Sequence, residues 1–420
     1  MTQQKNEASI RICHLIDFYP PLFIGGLELH SYDMAEMLLK KGVNTFVITR
    51  KIDSHSKSFE QLGNIDVRRI SPKGQLRGKG WKALFPTIYL IIKLIFLLIR
   101  YKKQYDIILV SGLKVLATPA IIAKYILNKK CVIMVVSPDE LGQDIFTDES
   151  LRKMRISRSS ILVKLIRKVR NGLINKADSF TVLSAEIEKQ IDILNINPGK
   201  VYTIPNGINT KKFHPISTKK KIALRKKLSL PENKIIFTYA GRIAKAKGVM
   251  NLIEAWNSIV KKYNNIYLIY TGSGEGSYDF CKDELLKYIK DNNLSKDVLV
   301  TGYVDEMHEY LQAADVFVFP SDYEGFGLVI LEGLACGLPS VITKVGAAAE
   351  VINNYENGVV VPPKNKEKLY EGINWMLENK KLWESMGKKA RISVEKYSLE
   401  VETDKYFEMF AKTMQKNNKK

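Results

Sequence analysis

Glu324 and Glu332 are separated by seven residues within the segment Asp315 to Glu350, DVFVFPSDYEGFGLVILEGLACGLPSVITKVGAAAE. An apolar run, Val316 to Phe319, stops at Pro320. A glycine-bearing turn, Glu324-Gly325-Phe326-Gly327, then opens into apolar residues at helical spacing. A strand, a turn and a helix in that order leave free backbone N–H groups and the positive end of the helix dipole at a ligand edge, which suits a diphosphate. Glu324 stands just ahead of the helix and Glu332 two turns inside it. Both carboxylates can therefore turn toward one ligand and accept hydrogen bonds from sugar or ribose hydroxyls. Either glutamate alone would read as an ordinary acidic cap or a solvated side chain; the whole string carries the reading.

The second constellation is Ala240-Gly241-Arg242 with Lys247-Gly248, between an apolar strand and a helical pattern. Two fixed cations in that loop can neutralise a diphosphate as it leaves. Lys and Arg number 65 in this chain, so a lone basic pair would be a solvated face; its position after a buried strand is what singles it out. A third, weaker signal is Gly25-Gly26 after the first strand, where glycine lets backbone approach a ligand closely. His14 and His30 read as core or helix histidines. Cys13, Cys131, Cys281 and Cys336 lie far apart with no metal-ligand spacing, and read as buried thiols of a reducing compartment.

These residues need elements to hold them, and both halves of the chain alternate strand and helix patterns. In the first half, strands are expected at Arg11 to Ile16, Thr45 to Thr49, Asp106 to Val110, Cys131 to Val136, Ser179 to Leu183 and Val201 to Ile204, with a helix over Leu27 to Lys40. A basic, irregular stretch, Lys211 to Lys221, reads as the linker. In the second half, strands are expected at Ile235 to Ala240, Ile266 to Tyr270, Val298 to Thr301, Val316 to Phe319 and Ser340 to Thr343. Helices are expected over Val249 to Lys261, Gly327 to Cys336 and Leu399 to Gln415. The alternation argues two doubly wound α/β domains, with ligands at the carboxyl ends of the strands and the natural site in the cleft between the domains.

A length of 420 residues suits two domains, and 45% hydrophobic with 26% charged residues is a globular composition. The polar N-terminus lacks a signal-peptide pattern, so a cytoplasmic location is expected. The net charge of +21 is concentrated. No acid lies between Asp66 and Asp106, where ten Lys and Arg residues sit, nor between Glu149 and Asp178, where nine sit. Both runs interleave with apolar residues. Residues 68–103 and 151–176 are therefore expected to touch an anionic membrane peripherally, and no nucleic-acid module is present. Ala83 to Ile99, interrupted by Pro86 and Lys93, is too short for a span and reads as an amphipathic or buried helix.

Taken together these segments resemble the family 4 glycosyltransferases of the GT-B fold. The resemblance covers nearly the whole chain and is densest from Pro205 to Glu350. It rests on IGGLE (Ile24 to Glu28), IPNGINTKKFHP (Ile204 to Pro215), AGRIAKAKG (Ala240 to Gly248), YTGSGEG (Tyr270 to Gly276), TGYVDEMHEYLQAADVFVFPS (Thr301 to Ser321) and EGFGLVILEGLACGLPSV (Glu324 to Val341). It implies two Rossmann-like domains facing each other across a cleft: 1–208 for the acceptor, 209–397 for a nucleotide-sugar, and a C-terminal helix, 398–420, crossing back to the first domain. By resemblance Arg242 and Lys247 bind the donor diphosphate, Glu332 holds the ribose, and Glu324 contacts the sugar near its reacting face. Gly327 and Leu328 offer backbone groups, Tyr303 and Val304 flank the base, and Gly25 and Gly26 face the diphosphate from the other domain. Gly241, Gly325 and Phe326 complete the donor-binding set. Glu324, Arg242 and Lys247 would carry catalysis.

The reaction implied is retaining transfer from a UDP-sugar to a glycan or lipid-linked acceptor, with no metal and no cofactor beyond the nucleotide-sugar co-substrate. It would take place at the inner face of the cell membrane, in surface polysaccharide or glycolipid synthesis. Two positions depart from the family: Ser137 stands where many relatives have a histidine, and Gly346-Ala347 replaces a double glycine. The alternatives weighed are a nucleotide-sugar epimerase of similar fold and an inactive partner of another transferase.

Overall fold

The computed structural model describes residues 10–21, 26–51, 56–71, 84–113, 115–136, 151, 155–157, 159–275 and 279–415. The chain divides into two compact units, Met1–Asn206 with Leu399–Lys420, and Gly207–Ser398.

In the first unit, eight strands form one sheet: β1 (Arg11–Leu15), β2 (Asn44–Arg50), β3 (Phe59–Leu62), β4 (Ile65–Ile70), β5 (Ile107–Ser111), β6 (Lys130–Val135), β7 (Ser179–Val182) and β8 (Val201–Thr203). The order is β3-β4-β2-β1-β5-β6-β7-β8, parallel except for β3 against β4. β1, β5 and β6 are buried almost throughout, β5 and β6 as near-continuous apolar runs, because the sheet is covered on both faces. On one face Ile12, Ile107, Leu109, Val132 and Met134 pack with Met34 and Leu38 of α1 (Gly26–Lys40) and with Tyr406, Met409 and Phe410 of the C-terminal helix, Leu399–Gln415. That last helix is pinned by polar contacts too: His30 Nε2 lies 2.9 Å from Glu402 Oε2, and Ser179 Oγ lies 2.7 Å from Thr413 Oγ1. On the other side sit α2 (Leu84–Arg100), α3 (Ala117–Leu127) and α4 (Ile161–Ile174). α2 packs on α3, and α3 on both α4 and the strands β5 and β6. A short helix, α5 (Ala185–Gln190), precedes β8.

The basic runs are not uniform surface. Arg68 is stacked on Phe46 and Tyr101, 4.3 and 4.0 Å from the ring centres, and Arg69 is buried against Pro20 and Glu60. Arg170 is likewise buried. These three were counted among the membrane contacts. They are internal instead, because aromatic faces, a carbonyl and a carboxylate hold Arg68 and Arg69, and packing removes Arg170 from the surface.

The second unit is built from β9 (Ile235–Ala240), β10 (Ile266–Thr271), β11 (Val298–Gly302), β12 (Val316–Phe319), β13 (Ser340–Thr343) and β14 (Gly358–Val361). Its sheet is wholly parallel, in the order β11-β10-β9-β12-β13-β14. Its helices are α6 (Thr218–Lys227), α7 (Val249–Ile259), α8 (Lys282–Asp291), α9 (Met307–Ala313), α10 (Leu328–Ala335), α11 (Ala348–Val351), α12 (Lys366–Glu378) and α13 (Trp383–Ser393). The C-terminal helix becomes α14. Trp256 of α7 packs on Phe237, and Gly333 of α10 lies against Phe317, where a Cβ would come within 2.7 Å of the ring.

The expected linker needs correction. Lys211 to Lys221 belongs to the second unit and runs into α6, whose first turn is capped by Ser217 accepting from Lys220 N. Lys221 and Arg225 both pair with Asp315 at the start of β12, which fixes this basic stretch to the sheet. The crossing to the second unit falls earlier, at Asn206–Gly207.

Candidate active site

Strand order in the second sheet reverses between β9 and β12: β10 and β11 extend one way, β13 and β14 the other. The loops leaving two such strands diverge and open a crevice at their carboxyl ends, where open α/β sheets bind ligands. Arg242 and Lys247 leave β9, and Glu324 follows β12, so the singled-out residues flank this switch point.

The β9 loop is held by close backbone packing. Gly241 (φ 149°) is followed by a 3₁₀ turn, Lys245–Lys247, which ends at left-handed Gly248. A Cβ on Gly248 would fall 2.0 Å from the carbonyl oxygen of Pro320, so only glycine lets the β9 and β12 loops meet. Tyr239, the penultimate residue of β9, is buried and stacks on Phe319; its hydroxyl donates to the Arg242 carbonyl at 2.7 Å. Burial, and then the nearby Glu324, push this phenol well above its ordinary pKa, so it stays protonated and keeps donating.

Lys247 and Glu324, placed separately in the sequence reading, meet directly. Lys247 Nζ lies 2.6 Å from Glu324 Oε1 and 3.4 Å from the Tyr323 carbonyl, with only 14% and 12% of the two side chains exposed. The half-buried Arg242 guanidinium forms no hydrogen bond or ion pair among the described residues. One cation is thus engaged by a carboxylate and one is available to a ligand.

α10 begins at Gly327, in left-handed conformation with no capping side chain, so the first backbone N–H groups of the helix, Leu328 foremost, have no side-chain acceptor. Gly346 (φ 52°) closes over this turn: a Cβ there would lie 2.4 Å from the Phe326 carbonyl oxygen and 2.9 Å from Glu324 Cβ. Ala347 N donates to that carbonyl at 2.6 Å. Gly325 lies in this turn, half-buried, whereas the Phe326 side chain is buried against Tyr397 and leaves only its backbone near the turn. Glu332 sits half-buried within α10, beyond the turn that carries Glu324. Tyr303 and Val304 follow β11 at the same edge of the sheet, Tyr303 exposed.

The remaining candidates lie elsewhere. Gly26 opens α1 after β1 in the first unit, while Gly25 and Ser137 fall outside the described residues. His14 is buried with Nε2 2.8 Å from Ser111 Oγ, and burial followed by the nearby His30 lowers its pKa to about 3. It is a neutral core histidine, as expected from the sequence. All four cysteines are free and buried. Two contributors escaped the sequence reading: Tyr239 was absorbed into its strand, and the packing role of Gly248 was not drawn. The signal available was their place immediately around the Gly-Arg-x₄-Lys string.

Comparison with known proteins bears on the family and the fold. The sequence profile of glycosyltransferase family 4 matches residues 24–212, and that of glycosyl transferases group 1 matches residues 220–393. An uncharacterized glycosyltransferase of Methanocaldococcus jannaschii is 28% identical over 387 residues, 90% of this chain and 92% of the relative. The UDP-Gal:alpha-D-GlcNAc-diphosphoundecaprenol alpha-1,3-galactosyltransferase of Escherichia coli is 31% identical over 205 residues, 47% of this chain and 51% of that one. Among solved structures, sucrose-phosphate synthase from Thermosynechococcus elongatus superposes with a TM-score of 0.77 at 22% identity, covering 97% of this chain and all of its own. With two parallel-sheet units and both profiles matched in order, the chain belongs to the family 4 glycosyltransferases and has the GT-B fold.

Proposed function

We propose that this protein is a retaining, metal-independent hexosyltransferase that moves a sugar from a UDP-sugar to a hydroxyl of a glycan or lipid-linked acceptor. The observation that carries the reading is the cluster at the second sheet's switch point: Arg242, the Lys247–Glu324 pair and the uncapped start of α10 on the two loops that flank it. In such a reaction the bond from the sugar C1 to the diphosphate oxygen breaks, and the diphosphate takes the electron pair. Arg242, Lys247 and the α10 N-terminus are suited to hold that charge. Glu324 is suited to the reacting face of the sugar and Glu332 to the ribose. With fixed cations supplying the neutralisation, no metal is called for. The acceptor hydroxyl oxygen forms the new bond to C1 from the face the diphosphate leaves and gives its proton to the departing diphosphate oxygen, which retains configuration.

The named activity of the E. coli relative, from a UDP-sugar to a diphosphoundecaprenol-linked sugar, supports the donor and a lipid-linked acceptor. Within residues 68–103 and 151–176, the exposed Arg100, Lys102, Lys103, Lys164, Lys168 and Lys176 support peripheral contact with an anionic membrane at its inner face, and a role in surface glycan or glycolipid synthesis. The test is to incubate the purified chain with UDP-, GDP- and ADP-sugars and simple glycosides in the presence of EDTA. Nucleotide release and the anomeric configuration of the product are followed by NMR. UDP release with an α-linked product is expected. An inverted product, or loss of activity that Mg²⁺ restores, would overturn the retaining or the metal-independent reading.

A further inference from the structure

α2 is apolar on both of its faces. Leu90, Leu94 and Leu98 are buried toward the sheet, while Phe85, Ile88, Ile92, Phe96 and Ile99 face outward, with Phe85 70% and Ile92 62% exposed. The spacing 85-88-92-96-99 is a continuous ridge along one side of a helix. α4 repeats the arrangement: Ile161, Leu165 and Val169 recur every four residues, Ile161 85% exposed, with the exposed Lys164 and Lys168 alongside. Between them the end of α3 adds exposed Tyr125 and Ile126. Since α2 packs on α3 and α3 on α4, these ridges belong to one layer of the first unit. A helix apolar all round is ordinarily covered, and exposed apolar patches of this kind mark interaction surfaces.

The charges around the patch say what covers it. Arg100, Lys102, Lys103, Lys164, Lys168 and Lys176 are exposed at its margins, and neither α2 nor α4 contains an acid. Of the described acids that bound the two runs, Asp66, Asp106 and Asp178 are paired with Arg68, Arg11 and Lys124. Among the described residues, the apolar strip has cations exposed along its margins, which complements an anionic bilayer. A second copy of this chain, ridge to ridge, would set two basic margins against each other. With 17 residues, α2 is about 25 Å long, short of the roughly 30 Å hydrocarbon core. No described helix is long and apolar enough to cross a membrane.

We infer that α2 and α4 form an insertion face: their apolar ridges enter the lipid interface in the plane of the membrane, rather than the basic residues alone resting on its surface. This rests on the peripheral-contact reading and deepens it from charge to insertion. The four native cysteines are buried, so a fluorophore sensitive to polarity can be placed on the full chain through Ile92→Cys, with Ile392→Cys, exposed on the second unit, as a control. On vesicles containing phosphatidylglycerol, the Ile92→Cys label is expected to shift to the blue and to stay shifted in 1 M NaCl. The control label should not move. In the unlabelled chain, Ile92→Gln with Phe96→Gln should weaken vesicle binding about 10-fold or more, while Lys164→Gln with Lys168→Gln weakens it mainly at low salt. Co-sedimentation that salt abolishes, with an unshifted label, would overturn insertion and leave surface contact standing. No co-sedimentation would overturn both. A shift without vesicles that grows with protein concentration, with a dimer in sedimentation velocity, would assign the face to a second copy and overturn the proposal.

Discussion

α12 of the second unit and α2 of the first both cover a largely parallel sheet, yet their outer faces differ completely. α12 buries Leu369, Ile373, Met376 and Leu377 and turns Lys366, Glu367, Lys368, Glu371 and Glu378 to water. Four of those charges are paired: Lys366 with Glu254, Lys368 with Glu371, and Glu378 with Lys262. α2 buries a similar leucine stripe but presents phenylalanine and isoleucine outward, with one lysine, Lys93, in mid-helix against the Phe96 ring and Arg100 at its end. On the inferred insertion face, the same layer architecture would meet two different solvents. Surface ion pairs contribute little stability each; their value in α12 is that they keep a wetted face wet. The contrast divides the labour, with polar chemistry concentrated in the second unit and the apolar contact surface in the first.

The division is broken most severely by changing Glu324. Glu324→Gln keeps the shape but removes the charge facing Lys247, and turnover should fall about 100-fold or more while vesicle binding is unchanged. Equal loss of both would mean that the units are not separable in function. The next effect is a property of the first unit. His14 has a folded pKa near 3 against 6.5 when unfolded, so as pH falls below about 6.5 the unfolded chain binds a proton that the folded chain refuses. Stability should drop by about 1.4 kcal/mol per pH unit there. In His14→Gln the first unit's denaturant midpoint should lose that part of its slope between pH 6.5 and 5; an unchanged slope would show that His14 is not its source. The smallest effect is expected from Tyr239→Phe, which deletes the donor to the Arg242 carbonyl. The nucleotide-sugar KM should rise a few-fold, in line with the loss of about 1 kcal/mol, with kcat nearly constant. A fall in kcat alone would place Tyr239 in the chemistry rather than in positioning the loop.

Much of this molecule is legible from residue order. Ile235–Ala240, Val316–Phe319, Ser340–Thr343 and Leu399–Gln415 fall where apolar periodicity puts them, because buried parallel strands and amphipathic helices are decided by local pattern. β3 and β4 were not read, since Phe59–Leu62 and Ile65–Ile70 interleave charged with apolar residues. What makes Arg68 and Arg69 compatible with a strand is Phe46, Tyr101 and Glu60, which are distant or unmarked in sequence. β14, a short valine run after Gly358, offered too little length to be distinguished from a turn. The basic run Lys211 to Lys221 looked like a linker because its partner, Asp315, is about a hundred residues away. The site was legible as residue types around glycines, but the Lys247–Glu324 contact spans 77 positions and needed the fold. The ridge on α2 was legible only as hydrophobicity; which side faces out is decided by where the sheet lies.

The central claim is that the β9 and β12 loops of the second unit bind the donor diphosphate. The direct measurement is calorimetric titration of UDP into the full chain and into Arg242→Ala with Lys247→Ala, with both proteins checked for the same thermal transition. The account predicts UDP binding by the parent and at least a 100-fold loss in the variant, as two charge-assisted contacts require. Binding within a few-fold of the parent would contradict it.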